Sequence, residues 1–534
     1  MFLSKTCPRC HKDAVVLKRF DGLQGVPDGL LNLECGHLIY ERQLIGGKNP
    51  ESFISSDHKR LMPFQVEGVK FIDRTRTTLR VTKLVPDPMT GVRALVTDEM
   101  GLGKTVQALG WLALQAPKTT GRVLFIVKSS LKVQWLREIV RWVDDEAMIQ
   151  TIESSRDHWL MVQGYIIGFD LLGRIKDLPE KVKALGIKTL IVDECQQIKN
   201  EKAGRSIEVL KLSRVIPNVI LLSGTPIKNN AGEYWAALNA TRPDLFPSAV
   251  QYRMRECAST WSGYAWKTGG IYNAEEFKEK TSPFVIRRTR EEVMPDLPKV
   301  FRRFQFDELG VEVEEAYKKA FLEFRDDYNS SEADPANALA LMSRMRHLTG
   351  ISKVRPCVAH VEQFLEELPD KIMTIFFHHK DVGDLLEVKI NKLLGAKRCL
   401  MLTSNLDSLQ RIGVVDAFRN GVSPILLAST LSSAEGLNLQ FCDEFAMLER
   451  QWNPANEEQA EGRFPRIGTR STSISGTYFV AIGTIDEVLA EIVERKRSIV
   501  LATLDGKEVP WEESTIMEEL KEKLASTGGR KWSL

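Results

Sequence analysis

The residues best suited to chemistry are Asp98-Glu-Met-Gly-Leu-Gly-Lys-Thr105, which directly follow the apolar run Ala94-Leu95-Val96. Gly101 and Gly103, with Leu102 between them, let backbone N–H groups close on phosphate oxygens. Lys104 can reach β- and γ-phosphates, and the Thr105 hydroxyl can ligate Mg²⁺. The phosphate-loop pattern G-x-x-x-x-G-K-[ST] is met except at its first position, which is Asp98. A second group, Asp193-Glu194, suits phosphoryl transfer: Asp193 would hold Mg²⁺ and Glu194 would orient or deprotonate the attacking water. A third, Glu458-Gln459-Ala-Glu-Gly-Arg463-Phe-Pro-Arg466-Ile-Gly468, sets two arginines three residues apart, so that on a helical turn both face the same way. Arginines offered so to a bound phosphate are arginine fingers, worth ~10³ to 10⁵ in rate. Upstream, Gln65 has an amide able to read an adenine edge. Nucleotide hydrolysis with ATP and Mg²⁺ is the chemistry these residues imply.

Such groups need rigid support. Arg122-Val-Leu-Phe-Ile-Val127, Thr189-Leu-Ile-Val192 and Val219-Ile-Leu-Leu222 are short continuous apolar runs, the pattern of strands buried on both faces of a parallel sheet. Asp193 and Glu194 follow the second run, at the sheet edge where open α/β folds bind ligands. Leu61-Met-Pro-Phe-Gln65-Val-Glu-Gly68 opens an amphipathic helix. A second set of strands starts at Lys371-Ile-Met-Thr-Ile-Phe-Phe377 and Pro424-Ile-Leu-Leu-Ala428, which predicts a second α/β lobe.

The 534 residues hold material for several folding units, and 43% hydrophobic with 27% charged residues excludes wholesale disorder. No apolar run reaches the ~18 residues of a membrane span, so no membrane partner is expected. Met1 to Cys10 lacks a signal-peptide core, which predicts a cytoplasmic protein, or a nuclear one in a eukaryote. The net charge of +2 neither demands nor excludes a nucleic-acid partner. Five of the eight cysteines are scattered singly, as reduced thiols are. The others form Cys7-Pro-Arg-Cys10 and Cys35-Gly-His37, two close pairs with the layout of a zinc ribbon binding structural Zn²⁺ through Cys7, Cys10, Cys35 and His37. A module so small lacks a core large enough to fold without a metal.

Taken together, the boxes resemble the Swi/Snf-type DNA translocases of helicase superfamily two, from Leu61 to about Val500. Asp98 to Thr105 is similar to that family's own phosphate loop, which carries Asp at its first position. Asp193-Glu-Cys-Gln-Gln-Ile-Lys-Asn200 resembles its Asp-Glu-Ala-His-x-Ile-Lys-Asn box, and Leu222-Ser-Gly-Thr-Pro-Ile-Lys-Asn229 its Leu-Thr-Gly-Thr-Pro-Ile-Gln-Asn box. Phe284-Val-Ile-Arg-Arg-Thr-Arg290 with Leu297-Pro298 resembles the element closing the family's helical insertion. The resemblance implies an α/β fold of two RecA-like parallel-sheet lobes with helical insertions, plus the small N-terminal zinc-ribbon-like module. The domains would be 1–50, the zinc module; 51–300, lobe 1 with an insertion at about 229–300; 301–500, lobe 2 with an insertion at about 308–350; and 501–534, a tail.

It also implies DNA-backbone contacts at Lys128, Ser129, Gly168, Phe169, Thr225, His378, Ser429 and Thr430, groups suited to tracking phosphates without reading bases. Leu348-Thr-Gly-Ile-Ser-Lys-Val354 and Phe377-His-His-Lys-Asp381 look most like the annealing-helicase branch. Gln196 stands where the family has His, Thr469 where it has Gln, and Ser429 to Leu439 carries Glu435 in place of a glycine-rich loop. The expected activity is a monomeric, DNA-dependent ATPase that translocates on double-stranded or branched DNA and remodels DNA or a DNA-bound protein. The alternatives are a strand-separating or annealing helicase and an ATP-gated nucleic-acid clamp.

Overall fold

The computed structural model describes residues 5–6, 13–14, 16–20, 30–33, 38–40, 60–80, 83, 85, 87–115, 117–143, 148–227, 230–261, 266–330, 335–395, 398–430, 438–452, 454–465, 469, 471–504, 520–521 and 523–524. The chain divides into two compact units, Met1–Thr289 and Arg290–Leu534.

Helix α1 (Pro63–Arg74) opens the core of the first unit, with proline at its first position, where the missing N–H costs nothing. Strands β1 (Arg76–Leu79), β2 (Met89–Val96), β3 (Arg122–Val127), β4 (Ile149–Ile152), β5 (Gly164–Gly168), β6 (Ile187–Val192), β7 (Asn218–Leu222) and β8 (Val285–Ile286) form one sheet in the order β8-β2-β7-β6-β3-β5-β4. All neighbours on that path run parallel, and β1 adds antiparallel to β2. Every residue of β7 is buried, as a central strand covered on both faces requires. Helices α2 (Lys104–Leu114) and α3 (Lys132–Trp142) cover one face, packing Leu109, Trp111, Trp135 and Ile139 against Val96, Phe125 and Ile220. Arg93, buried within β2, donates from Nη1 to Ser213 O at 2.8 Å and from Nη2 to Ile216 O at 3.0 Å, tying the strand to the chain that precedes β7. Burial pulls its guanidinium down to about 9.

The segment after β7 is helical at Trp235–Thr241, Ala249–Arg255 and Ala274–Thr281. It also contains an antiparallel hairpin, Cys257–Trp261 with Trp266–Ile271, which the sequence reading does not anticipate. Its alternation is broken by a bulge between Cys257 and Ser259, so the period-2 signal of a strand is lost.

In the second unit, β9 (Lys299–Asp307) is followed by α4 (Val311–Asn329), α5 (Pro335–Ser352), α6 (Val354–Glu367), β10 (Met373–Phe377), β11 (Leu400–Leu402), β12 (Ile425–Ser429), β13 (Glu444–Met447), α7 (Pro454–Glu461), β14 (Ser473–Ala481) and α8 (Ile485–Leu504). The sheet is fully parallel, in the order β9-β14-β13-β10-β12-β11. Helices α4 and α5 share a core with α8 and with Leu520 and Leu524 near the C-terminus. Near the N-terminus, two short strands pair as Lys5–Thr6 with Asp13–Ala14, and three more form the antiparallel ladder Val16–Phe20, Leu30–Leu33, Leu38–Tyr40.

Candidate active site

The loop from Asp98 to Gly103 joins the C-terminal end of β2 to the first turn of α2, so the N-terminus of that helix and its unpaired N–H groups face the loop. Gly101 (φ 86°) and Gly103 (φ 73°) adopt left-handed backbone, which costs glycine no steric strain. A Cβ at Gly103 would come within 2.5 Å of Gln65 Nε2, and one at Gly224 within 2.7 Å of Met100 Cγ and 3.2 Å of Lys104 Nζ. Glycine at these two positions keeps the cradle open.

Lys104 Nζ donates to Asp98 O at 2.8 Å and to Glu99 O at 3.2 Å, closing the loop on itself. Burial pulls its ammonium below the ordinary range, against the raising pull of Glu194, Asp98 and Asp193. Asp193 and Glu194 follow β6 at the same sheet end. Asp193 Oδ2 accepts from Trp135 Nε1 at 2.9 Å and Oδ1 from Glu194 N at 2.9 Å, so each oxygen keeps a lone pair. Burial, then the adjacent Glu194 charge, push Asp193 up to about 6. A hydroxyl at Thr105 and one carboxylate at Asp193 fit Mg²⁺, which keeps several waters and takes its other ligands from phosphates.

Glu194 accepts from Gln196 Nε2, and Gln196 Oε1 accepts from Ser223 Oγ at 2.7 Å. Ser223 Oγ in turn accepts from Thr225 N at 3.1 Å. Gln196, the departure from the usual His, thus joins the end of β6 to the loop after β7 through both ends of its amide. Gln65 is buried on α1; its Oε1 accepts from Met62 N at 3.0 Å and its Nε2 donates to Leu102 O at 3.2 Å. Asp98 is fully buried, its carboxylate turned away from the cradle toward Gln107 and Arg288, which donate to it. Arg288, Gln107 and Trp135 are the supporting residues that the sequence reading passes over. Arg288 lies within the quoted Phe284 to Arg290 box, but three of its seven residues are arginine and their spacing does not single one out.

In the second unit, Gln459 lies on α7 and is 2% exposed, with no acceptor for its Nε2 among the described residues. Helix α7 ends at Glu461, so Arg463 occupies the turn beyond it rather than the helix, and its carbonyl accepts from Leu439 N at 3.1 Å. Arg466 lies outside the described residues.

Residues expected at DNA cluster at strand ends within each unit. Lys128 and Ser129 follow β3, and Gly168 and Phe169 end the neighbouring β5, where Ser129 Oγ donates to Asp170 Oδ1. The Phe169 ring is buried, and so is Thr225, whose hydroxyl has no partner among the described residues. In the second unit His378 follows β10 beside Ser429 and Thr430 after β12, but Thr430 is buried and donates its hydroxyl to Phe377 O at 2.9 Å. His378 and His379 donate their backbone N–H groups to Glu449 Oε2 at 2.6 and 2.9 Å. Cys7, Cys10, Cys35 and His37 lie outside the described residues, and among the described residues no group of three or more His, Cys, Asp or Glu is placed to hold a metal. No helix among them is long and apolar enough to cross a membrane.

The SNF2-related domain profile matches residues 64–363, and the helicase conserved C-terminal domain profile residues 357–468. The chain is 27% identical over 463 residues to the Bos taurus DNA annealing helicase and endonuclease ZRANB3, a match covering 84% of this chain and 41% of that protein. It is 28% identical over 450 residues to the Xenopus laevis SWI/SNF-related matrix-associated actin-dependent regulator of chromatin subfamily A-like protein 1, covering 82% and 44% respectively. The chain therefore spans less than half the length of these relatives. The solved Sulfolobus solfataricus SWI2/SNF2 ATPase core in complex with dsDNA aligns at a TM-score of 0.39 and 20% identity, covering 89% of this chain and 95% of that one. More than half of the chain lies inside the SNF2-related match, and it belongs to that family, the helicase-like ATP hydrolases of superfamily two.

Proposed function

We propose that the chain is a DNA-dependent ATPase that translocates on double-stranded DNA and remodels DNA or protein–DNA complexes without full strand separation. The observation that carries this is the Asp193–Glu194 pair, half-buried beside a glycine cradle whose lysine, among the described residues, is bonded to the loop's own carbonyls. On nucleotide binding Lys104 exchanges those carbonyls for phosphate oxygens. Thr105 and Asp193 would hold Mg²⁺, which supplies charge neutralisation at the phosphates when bound. Glu194, steadied by Gln196, positions the attacking water, and Gln459, Arg463 and Arg466 complete the site when the lobes close.

DNA would run over the strand ends that carry Lys128, Ser129, Gly168, Phe169, Thr225, His378, Ser429 and Thr430. Because its hydroxyl is turned inward, Thr430 would act through its backbone, whereas Phe169, with its ring buried and its N–H given to Val127 O, would hold the strand end in place beside the DNA. Cys7, Cys10, Cys35 and His37 would hold structural Zn²⁺ in a module spanning about residues 1–50, ahead of the two lobes. A second reading, an annealing helicase on branched DNA, is favoured by the similarity to ZRANB3, a DNA annealing helicase and endonuclease, and by the Leu348–Val354 segment.

The test is ATP turnover by the purified chain on duplex DNA, single-stranded DNA, RNA and forked DNA, with E194Q as the blank. Stimulation by duplex DNA is expected, without release of a labelled strand. Turnover no higher than E194Q on every nucleic acid sinks the proposal, and reannealing of forked DNA selects the second reading.

A further inference from the structure

Arg288 makes more connections at the nucleotide end of the first sheet than any residue placed in the chemistry. Its Nε donates to Asp98 Oδ1 at 3.1 Å and its Nη2 to Asp98 Oδ2 at 2.5 Å, a fork that takes both oxygens of a fully buried carboxylate. The same Nη2 donates to Gln107 Oε1 at 3.0 Å, while Nη1 donates to Phe64 O, the carbonyl next to Gln65. The guanidinium also lies 5.5 Å from the centroid of the Phe64 ring. Gln107 closes the ring of contacts by donating from Nε2 to Asp98 Oδ2 at 2.9 Å. The Arg288 backbone holds the loop as well, since Glu99 N donates to Arg288 O at 2.9 Å. One side chain thus pins three separate pieces: the start of α1, the first residue of the phosphate loop, and α2 one turn inside the helix.

The approach of these pieces is close enough that a Cβ on Gly68 of α1 would collide with Gln107 Oε1. Gln65 rides on the pinned turn of α1. With its Oε1 taking Met62 N and its Nε2 giving one hydrogen to Leu102 O, the amide retains one lone pair and one hydrogen. That is the donor–acceptor pair that matches the N6 amino group and N7 of adenine, whereas the O6 of guanine would meet the amide oxygen.

We propose that Arg288 is a positioning residue for nucleotide recognition: by clamping Asp98, Gln107 and Phe64 O it holds the Gln65 amide over the phosphate loop, and so sets both the affinity for ATP and the preference for adenine over guanine. The inference rests on the ATPase reading above. Loss of the clamp lets α1 drift from the loop, which weakens capture of the base and leaves Lys104, Asp193 and Glu194 in place.

The test compares R288Q with the double variant D98N/R288Q, which replaces the severed ion pair by two neutral amides and so guards against simple misfolding. Calorimetric binding of ADP and GDP to each protein is measured beside steady-state turnover of ATP and GTP, with thermal unfolding as the check on folding. In folded protein the affinity for ADP and the kcat/KM for ATP fall about tenfold through KM, kcat changes by less than about threefold, and the ADP-over-GDP preference shrinks about tenfold. R288K, a cation without the fork, recovers only part of the loss. Unchanged ADP affinity and unchanged base preference in either folded variant overturn the inference, as does an equal loss for ADP and GDP. A parent protein that binds ADP without turning over ATP overturns the ATPase reading and leaves the binding comparison to decide this one.

Discussion

The surroundings of the glycine loop in the first unit and the Gln459–Arg463 segment of the second differ in how their polar groups are met. In the first, the polar groups around the phosphate loop are matched internally: Asp98 takes Arg288 and Gln107, Asp193 takes Trp135 and Glu194 N–H, and Gln196 spans Glu194 and Ser223. In the second, the scaffold is equally firm around helix α7. Helix α7 is fixed at one end by the fully buried pair Arg450–Glu457, bonded at 2.8 and 2.9 Å, and at the other by Arg302 bound to Glu461 at 2.5 Å. Between these anchors Gln459 keeps a buried Nε2 without an acceptor among the described residues, and Arg463 comes only after the helix has ended. On the proposed function, the first unit would prepare nucleotide binding and the second would supply Arg463 to complete the site.

The comparison breaks most visibly at Arg463. If its role is completion rather than binding, R463A lowers kcat by ~10³ while the affinity for ADP stays within a few fold. A matching loss of ADP affinity would show that the second unit helps to hold the ground state.

Acid distinguishes the units next. Burial pushes Glu449 upward, but hydrogen bonds from His379 and from the His378 and His379 backbone outweigh it and hold the group near about 2. A carboxylate lowered in this way stabilises the fold above its ordinary value of 4.5, and its ~3 kcal/mol is lost as pH falls toward 2. Burial, with the Arg346 charge, takes His378 down to about 4 from 6.5, so its protonation also opposes folding as pH drops through that range. Asp193 runs the other way: raised to about 6 from 3.8, it favours the fold below 3.8 and gives up that contribution as pH rises to 6. Hydrogen exchange followed from pH 7 down to about 2.5 should therefore show β10 losing protection before β6, and E449Q should flatten the dependence below pH 4.5. Simultaneous loss in both strands would contradict the assignment. The same Asp193 shift makes kcat/KM for ATP climb through pH 6, since the metal-binding form is the carboxylate.

The smallest effect sharpens the first unit's internal closure. S223A removes the donor to Gln196 Oε1 and should lower single-turnover hydrolysis about fivefold, the scale of one hydrogen bond, without altering the melting temperature much.

How far these features could be read from the sequence depended on where their physical signal lay. Strands β3, β6 and β7 were legible because a strand buried on both faces must be apolar throughout. The edge strand β9 was not: its residues Lys-Val-Phe-Arg-Arg-Phe-Gln-Phe-Asp leave Phe301 57% and Phe306 56% exposed, so no period marks a covered face. The glycine loop and the acidic pair could be placed because each directly follows a buried strand, β2 and β6, so their position is a local property of the sequence. The partners of Asp98 could not, because Arg288 meets it across 190 positions of sequence and only tertiary packing brings them together. The residues expected at DNA fell between these cases: the strand ends could be placed, but the inward turn of Thr430 and Phe169 follows from packing.

Glu194 has φ 51°, one of two non-glycine residues with left-handed backbone among those described. A side chain in that region costs ~1 kcal/mol or more, a strain that glycine does not carry. Glu194→Gly would relieve it but forfeit the hydrogen bond from Gln196 Nε2 and loosen the unfolded chain, so the two effects oppose and the variant is expected to melt close to the parent. A lineage released from the need to hydrolyse ATP would lose this acid early, and its absence from an otherwise intact relative would mark a chain that had kept the architecture and given up the engine.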